Sequence, residues 1–417
     1  MSIPLPPPVS SPAWPSSHQP PIAVPIVPGR PEGVTGSETT PAETPPIRVL
    51  HLVNGEHFAG AERVQSHLGR CLPALGVDAD FLSLKPGRFT DRLESHPDWG
   101  RSHRAAMRNR FDIGVIRRTT DLIANHQYDL LHAHTPRSAM IASIASAWTA
   151  VPWVYHVHSP AARDSSRRIL NWINAQIESR AMKGCHGILT VSESLRADCI
   201  AAGYDGDRIA VVHNGVPAIC PPRPPAPTPG GRWTLGMVAL MRPRKGLEVA
   251  LSAIARLASR GHDVRLRCIG PFETEAYADS IEQQIDRLDI GDRVERCGFV
   301  DDVPSALAGV DALLLPSLYG EGLPMVVLEA MAAATPVIAT RVEGTPEAIT
   351  HGVEGLLAKP GDVDSLAEQI AALVIGTHDW TAMSQAAKRR HDQAFSDQAM
   401  AAATARVYRT TLQRVGV

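Results

Sequence analysis

The chain has 417 residues, of which 44% are hydrophobic, and its 41 Lys and Arg against 43 Asp and Glu give a formal net charge of −2. That length predicts two or three domains with ample material for packed cores. The near-balanced charge excludes nucleic acid as the main partner, which would call for a strongly basic face. Six cysteines stand at 71, 185, 199, 220, 268 and 297 without any Cys-x-x-Cys spacing, so reduced buried thiols are expected rather than a zinc site or a disulfide framework.

Residues 1–46 are rich in proline, serine and threonine and carry few large apolar groups, which predicts a disordered tail. Their prolines also break any signal-peptide pattern, and the most apolar run, 139–154, is interrupted by Ser143, Ser146, Thr149 and Pro152. A cytoplasmic protein is therefore expected. From 47 to 216, IRVLHLVN, DADFLSL, DLLHAHT, PWVYHVHS, HGILTVS and RIAVVHNG read as strands, with helical stretches between most of them. PAICPPRPPAPTPGG (217–231) reads as a semi-rigid linker. The alternation resumes over 232–394 with WTLGMVAL, DVRLRCIG, RVERCGFV, DALLLPS and PVIAT. Short apolar strands alternating with helices predict the α/β class, with two doubly wound, Rossmann-like domains. Ligands of such domains bind at the carboxyl ends of the strands, which puts a site in the cleft between the sheets. Residues 395–417 have helical periodicity and either cap the second domain or cross back to the first.

The segment YGEGLPMVVLEAM (319–331) sets two glutamates eight positions apart. Pro324 suits the first turn of a helix, leaving Glu321 and Gly322 in the loop before it. A helix N-terminus offers N–H groups and a positive dipole end to phosphate oxygens. Glu329, about a turn and a half further on, can accept hydrogen bonds from a vicinal diol, and Glu321 from a second polyol. A nucleotide sugar supplies diol, diphosphate and polyol in that order. The plainer alternative is a solvated Glu321 and a Glu329 paired with a buried basic side chain, and spacing alone does not separate the two.

MRPRKG (241–246) gathers Arg242, Arg244 and Lys245 between a strand and a helix, where fixed cations would speed the departure of a diphosphate. An exposed first-turn cation is an equal reading of Arg244. VYHVHSP places His156 and His158 on one face at a strand end, where a structural hydrogen-bonding role is the usual one. His132 and His134 share that alternation and would support the cleft wall. Gly60 marks a tight turn into a helix N-terminus near the cleft. Ser192 is placed to cap the next helix, Asn214-Gly215 has turn chemistry, and Glu347 is either a cleft residue or an exposed loop acid.

The Glu-x7-Glu pattern, with glycine after the first glutamate, DALLLPS before it and ATPVIATRVEGTPEAITHGVEGLLAKP after it, resembles glycosyltransferase family four, retaining enzymes of the two-domain GT-B fold. VSES and HNGV match the family in order and spacing, and the resemblance runs from about residue 47 to the C-terminus. It implies that Glu321 contacts the donor sugar, Glu329 the ribose hydroxyls, and the backbone around Gly322, Leu323 and Pro324 the sugar and diphosphate. It gives the diphosphate to an arginine and a lysine. Lys245 matches the latter, and Arg242 stands in for an arginine whose usual place holds Ala239 or Leu240. The resemblance also singles out His158 at the donor sugar and keeps Gly60, although Ala59 replaces one of two adjacent glycines. The last helix would cross back onto the first domain.

The implied reaction moves a sugar from a nucleoside-diphosphate sugar to a hydroxyl of a carbohydrate or lipid-linked acceptor, in polysaccharide or glycolipid biosynthesis. With no carboxylate nucleophile evident, same-face attack is favoured, the leaving diphosphate taking the acceptor's proton, and double displacement is the alternative. Three Asp-x-Asp triplets, at 78–80, 205–207 and 362–364, are short enough to arise by chance, and the resemblance implies no required divalent ion, so no metal and no cofactor beyond the co-substrate are expected. Basic stretches at 100–118 and 163–184 are either solvated faces or peripheral contacts with an anionic inner membrane face. Two competing functions fit the same fold. A nucleotide-sugar epimerase or hydrolase would form product without an acceptor, and a non-catalytic nucleotide-sugar-binding protein would bind a donor without transfer. A nicotinamide dehydrogenase lacks its Gly-x-Gly-x-x-Gly turn here.

Overall fold

The computed structural model describes residues 45–58, 60–109, 112–159, 176, 178–219, 226–300 and 302–416, and every structural statement below concerns these. Most of the proline-rich tail, the centre of the linker and most of the basic stretch 163–184 lie outside the described residues.

The apolar runs of the first half form one parallel sheet in the order β3-β2-β1-β4-β5-β6-β7. Its strands are Ile47–Val53 (β1), Val77–Ser83 (β2), Ser102–Arg104 (β3), Leu130–Ala133 (β4), Trp153–Val157 (β5), Gly187–Thr190 (β6) and Ile209–Val211 (β7). The second half forms another, β10-β9-β8-β11-β12-β13, from Trp233–Val238 (β8), Val264–Ile269 (β9), Val294–Gly298 (β10), Ala312–Leu315 (β11), Val337–Thr340 (β12) and Gly355–Ala358 (β13). Winding reverses between β1 and β4 and again between β8 and β11, which opens a crevice at the carboxyl end of each sheet. The outer strands β3 and β13 were not anticipated from the sequence.

Register sorts the side chains. His51 pairs with His132, and Ala133 with Tyr155, so Val49, His51, Leu130, His132, Val154 and His156 share one face. Val64 and Leu68 of the first helix (Gly60–Cys71) and Met400, Ala401, Ala405, Tyr408 and Leu412 of the closing helix (Asp397–Val415) join that face in one core cluster. The opposite face, with Leu50, Leu131, Trp153 and Tyr155, belongs to a cluster that continues through Leu195 to Leu323, Val327 and Leu313. Apolar packing therefore joins the two sheets' domains.

The chain passes between the domains twice, side by side. Val216 N–H donates to the Phe395 carbonyl (3.0 Å) and Asp397 N–H to the Val216 carbonyl (3.1 Å). Gly215 must be a glycine here, because a Cβ would stand 2.2 Å from the Ser396 carbonyl oxygen. Arg70 of the first helix forms an ion pair with Asp397 at the start of the closing helix. Among the described residues no helix is long and apolar enough to cross a membrane.

Candidate active site

Glu321 lies in a loop as expected, but it is not solvated: 5% of it is exposed. Its Oε1 accepts hydrogen bonds from Ser317 Oγ (2.6 Å) and Lys245 Nζ (2.5 Å), and Arg244 Nη1 stands 3.7 Å away. This loop is zipped to MRPRKG. Leu318 N–H donates to the Arg244 carbonyl (2.8 Å), and the Arg244 guanidinium donates to the carbonyls of Gly320 (3.0 Å) and Tyr319 (3.3 Å). Gly246 has φ 71°, and a Cβ there would stand 2.1 Å from the Pro316 carbonyl oxygen, so only glycine lets the loops close. Burial holds the Lys245 ammonium below the usual lysine pKa, against the pull of Glu321. Arg242 is near enough to Lys245 for its charge to be felt, yet its guanidinium lies 3.6 Å from Glu273 and not on Glu321. Arg244, an even choice from sequence, is the brace of the loop.

The following helix is Met325–Ala332, one residue later than expected. Pro324 has φ −72° and ψ 117°, so it is the extended residue before the first turn. A proline φ suits both positions, and ψ decides. Glu329, 2% exposed, forms an ion pair with Arg63 of the first helix. The basic-partner alternative therefore describes Glu329 in this structure, and the partner comes from the other domain. Burial lifts the Glu329 carboxyl to about 7, with Arg63 acting in the opposite sense. Gly60 opens the first helix, and a Cβ on it would stand 3.7 Å from Met325 Cγ, so the two helix N-termini face each other.

Gly322 presses against His158: a Cβ on it would stand 2.3 Å from the His158 carbonyl oxygen. Leu323 is buried, and its carbonyl accepts from Asn214 Nδ2 at 2.9 Å, which gives the Asn214-Gly215 turn a part in joining the domains. Ser192 Oγ accepts from Leu195 N–H (3.2 Å) and caps the helix Glu193–Ala201, as its position predicts. Glu347 caps the same helix from the other domain, accepting from the N–H groups of Glu193 (2.8 Å) and Ser194 (2.9 Å), with His213 Nε2 3.1 Å away. It is a clasp between domains, not a free loop acid.

Five histidines line the carboxyl ends of β1, β4 and β5. His51, His132, His134 and His156 are buried, and His158 is partly exposed. A chain of contacts links four of them: His158 Nε2 to His134 Nδ1 (3.1 Å), His134 Nε2 to His51 Nδ1 (3.0 Å), His51 Nε2 to Tyr408 Oη (3.3 Å) and Tyr408 Oη to His132 Nδ1 (2.7 Å). His132 Nε2 and both ring nitrogens of His156 have no hydrogen-bond partner. Burial pushes His51 down to about 3, His158 to about 4, and the other three well below the ordinary histidine value, so all five are neutral at pH 7. Tyr408 had no signal in the sequence beyond its helical periodicity.

Nitrogens of two triplets, His51, His132, His134 and His134, His156, His158, lie within 4.8 Å of one another, the spacing of a metal-ligand group. The Asp-x-Asp triplets have local duties instead. Asp80 accepts from Tyr128 (2.7 Å), Asp205 from Asp207 N–H (3.0 Å) and Asp362 from Ser365 N–H (2.9 Å). In the basic stretch 100–118, Arg104 pairs with Glu94 and Arg118 with Asp112.

The family described as Glycosyltransferase Family 4 matches residues 58–218, and that described as Glycosyl transferases group 1 matches residues 232–375. D-inositol 3-phosphate glycosyltransferase of Corynebacterium glutamicum (strain R) is 29% identical over 317 residues, 70% of this chain and 74% of the relative. UDP-Gal:alpha-D-GlcNAc-diphosphoundecaprenol alpha-1,3-galactosyltransferase of Escherichia coli is 25% identical over 352 residues, 80% of this chain and 88% of the relative. Among solved structures, Anabaena Alr3699/HepE in complex with UDP and glucose superposes with a TM-score of 0.75 at 21% identity, over 87% of this chain and 100% of that one. At that identity the likeness is one of fold.

Proposed function

The chain belongs to glycosyltransferase family 4 and has the two-domain GT-B fold, and from that premise we propose that it transfers a sugar, with retention at the anomeric carbon, from a nucleoside-diphosphate sugar to a hydroxyl of a carbohydrate or lipid-linked acceptor. The observation that carries the reading is the convergence of Glu321, Lys245 and Arg244 in a buried loop beside Gly322 and His158, directly ahead of the helix Met325–Ala332.

In this reading Glu321 is an anionic acceptor for donor-sugar hydroxyls. Its Oε1 is already engaged by Ser317 and Lys245, which favours a binding role over nucleophilic attack. Val327 N–H already donates to the Pro324 carbonyl (3.1 Å), so the amides of Met325 and Val326 at the helix start, with Lys245, Arg242 and Arg244, would receive the diphosphate. Glu329 would exchange Arg63 for the ribose diol. As the bond from anomeric carbon to diphosphate oxygen breaks, negative charge grows on the leaving group, where preorganised cations stabilise it most. The acceptor oxygen bonds to the same face of that carbon, and its proton passes to a departing phosphate oxygen.

Thermal-shift screening of nucleotide sugars finds the donor. Uridine nucleotides come first, because the E. coli relative and the HepE complex carry them by name. Transfer to varied acceptors, with the product's anomeric configuration read by NMR, then tests the reaction. Glu321→Gln and Lys245→Met are each expected to lower kcat by about 10²–10³-fold with the fold retained. Wild-type turnover in both variants would refute the assignment, and product formed without acceptor would favour an epimerase or hydrolase.

A further inference from the structure

We propose that Tyr408 of the closing helix is a positioning residue for His158: it fixes the direction of the buried hydrogen-bond chain, so that His158 carries its proton on Nε2 and keeps Nδ1 bare as an acceptor at the cleft. The catalytic consequence rests on the reading of His158 as a donor-side residue, whereas the direction of the chain does not.

A neutral imidazole has one N–H and one lone pair. Once four rings and a phenol are linked, the proton position in one ring dictates the next, and the chain has two directions; the remaining arrangement, with Tyr408 Oη accepting from both His51 and His132, leaves the buried phenol O–H without a partner. In one, His158 Nε2–H donates to His134 Nδ1, His134 Nε2–H to His51 Nδ1, His51 Nε2–H to Tyr408 Oη, and Tyr408 O–H to His132 Nδ1. In the other, every link is inverted and His158 carries its proton on Nδ1.

Tyr408 chooses between them. Its oxygen lies 2.7 Å from His132 Nδ1 but 3.3 Å from His51 Nε2. The short contact has the length of a bond donated by a hydroxyl, and the long one lies past the usual N–H···O range. A phenol is a better donor than acceptor towards imidazole nitrogen, which is the stronger base of the two. Its O–H therefore points to His132, and the first direction follows link by link. The first direction leaves an N–H on the unpartnered His132 Nε2 where the second leaves a lone pair, a cost that the short Tyr408 to His132 bond offsets. Burial holds the phenol in its O–H form and the rings neutral, so no extra proton breaks the sequence. The ring of His156 stands outside the chain.

The test is ring-nitrogen NMR on the full-length protein labelled with ¹⁵N-histidine, at neutral pH, with His158 assigned by the signals lost in His158→Gln. The wild type is expected to show His158 protonated on Nε2; protonation on Nδ1 overturns the proposal. His132→Phe takes away the acceptor of Tyr408, so the hydroxyl turns to His51, each link inverts, and the His158 proton moves to Nδ1. Tyr408→Phe releases the direction and gives both His158 forms. In His132→Phe kcat is expected to fall about tenfold, one hydrogen bond's worth, and in Tyr408→Phe only about twofold, the share lost to the wrong form, while KM for the donor stays within about twofold in both. A merely structural Tyr408 would lower Tm and leave the His158 tautomer untouched, which also overturns the proposal. So does stoichiometric Zn²⁺ uptake that strips these ring protons, since the lone pairs would then serve a metal. Should the protein transfer no sugar at all, the function proposed above fails, yet the nitrogen signals still decide the direction of the chain.

Discussion

Glu329 is a carboxyl whose protonation is coupled to folding. Its value rises from 4.5 to about 7 on burial, so the folded chain holds a proton that the unfolded chain has lost between those limits. That contribution is complete below pH 4.5 and is lost as the pH climbs through 7. Compared with Glu329→Gln, the wild type is expected to lose on the order of 2–3 kcal/mol between pH 5 and 8, read from thermal unfolding. Parallel curves for the two proteins would contradict this. His156 poses a different residue-scale problem, because a neutral imidazole always keeps one N–H and here neither nitrogen has a partner. An orphaned buried donor costs about 1–3 kcal/mol. His156→Phe is therefore expected to leave Tm unchanged or raise it, whereas His134→Phe, which breaks two links, lowers it. At this scale the sequence located the two glutamates but not what they touch. Arg63 lies far from Glu329 along the chain and carries no mark of its partner.

Two glycines decide how elements meet. Gly246→Ala puts a Cβ into the Pro316 carbonyl and forces a φ of 71° on a residue with a side chain. It is expected to cost more than about 1 kcal/mol and to loosen the loop that carries Glu321, visible as a lower Tm together with weaker donor binding. Gly322→Ala presses on the His158 carbonyl instead, at the contact between domains. There both kcat/KM and Tm are expected to fall, and unaltered kinetics would exclude the close approach. Strand and helix alternation made eleven of the thirteen strands readable in advance. Of the two that escaped, β3 is the polar run Ser-His-Arg with no apolar residue to mark it, and β13, Gly-Leu-Leu-Ala, is no shorter than β4, β6, β11 and β12. The helix after Glu321 was misplaced by one residue because proline fixes φ and leaves ψ to the context.

At the scale of the whole molecule, the second domain holds the first through Glu347, whose carboxylate takes two N–H groups at the start of the helix Glu193–Ala201. Glu347→Ala is expected to cost roughly 1–2 kcal/mol of stability. It is also expected to enlarge the radius of gyration in small-angle scattering; identical scattering curves would rule out a clasp. The clasp was illegible in the sequence because an acid in a loop looks the same whether it faces water or another domain's helix. The closing helix has a consequence for how the molecule is made. Met400, Ala401, Ala405, Tyr408 and Leu412 sit on the face of a sheet whose first strand begins at Ile47. A ribosome delivers that strand early and its cover late, so the amino-terminal half must wait, unfinished, while the other half is translated and folds. Nascent chains arrested before residue 396 should be cut readily within β1 to β5, and those carried past 416 should resist the same protease.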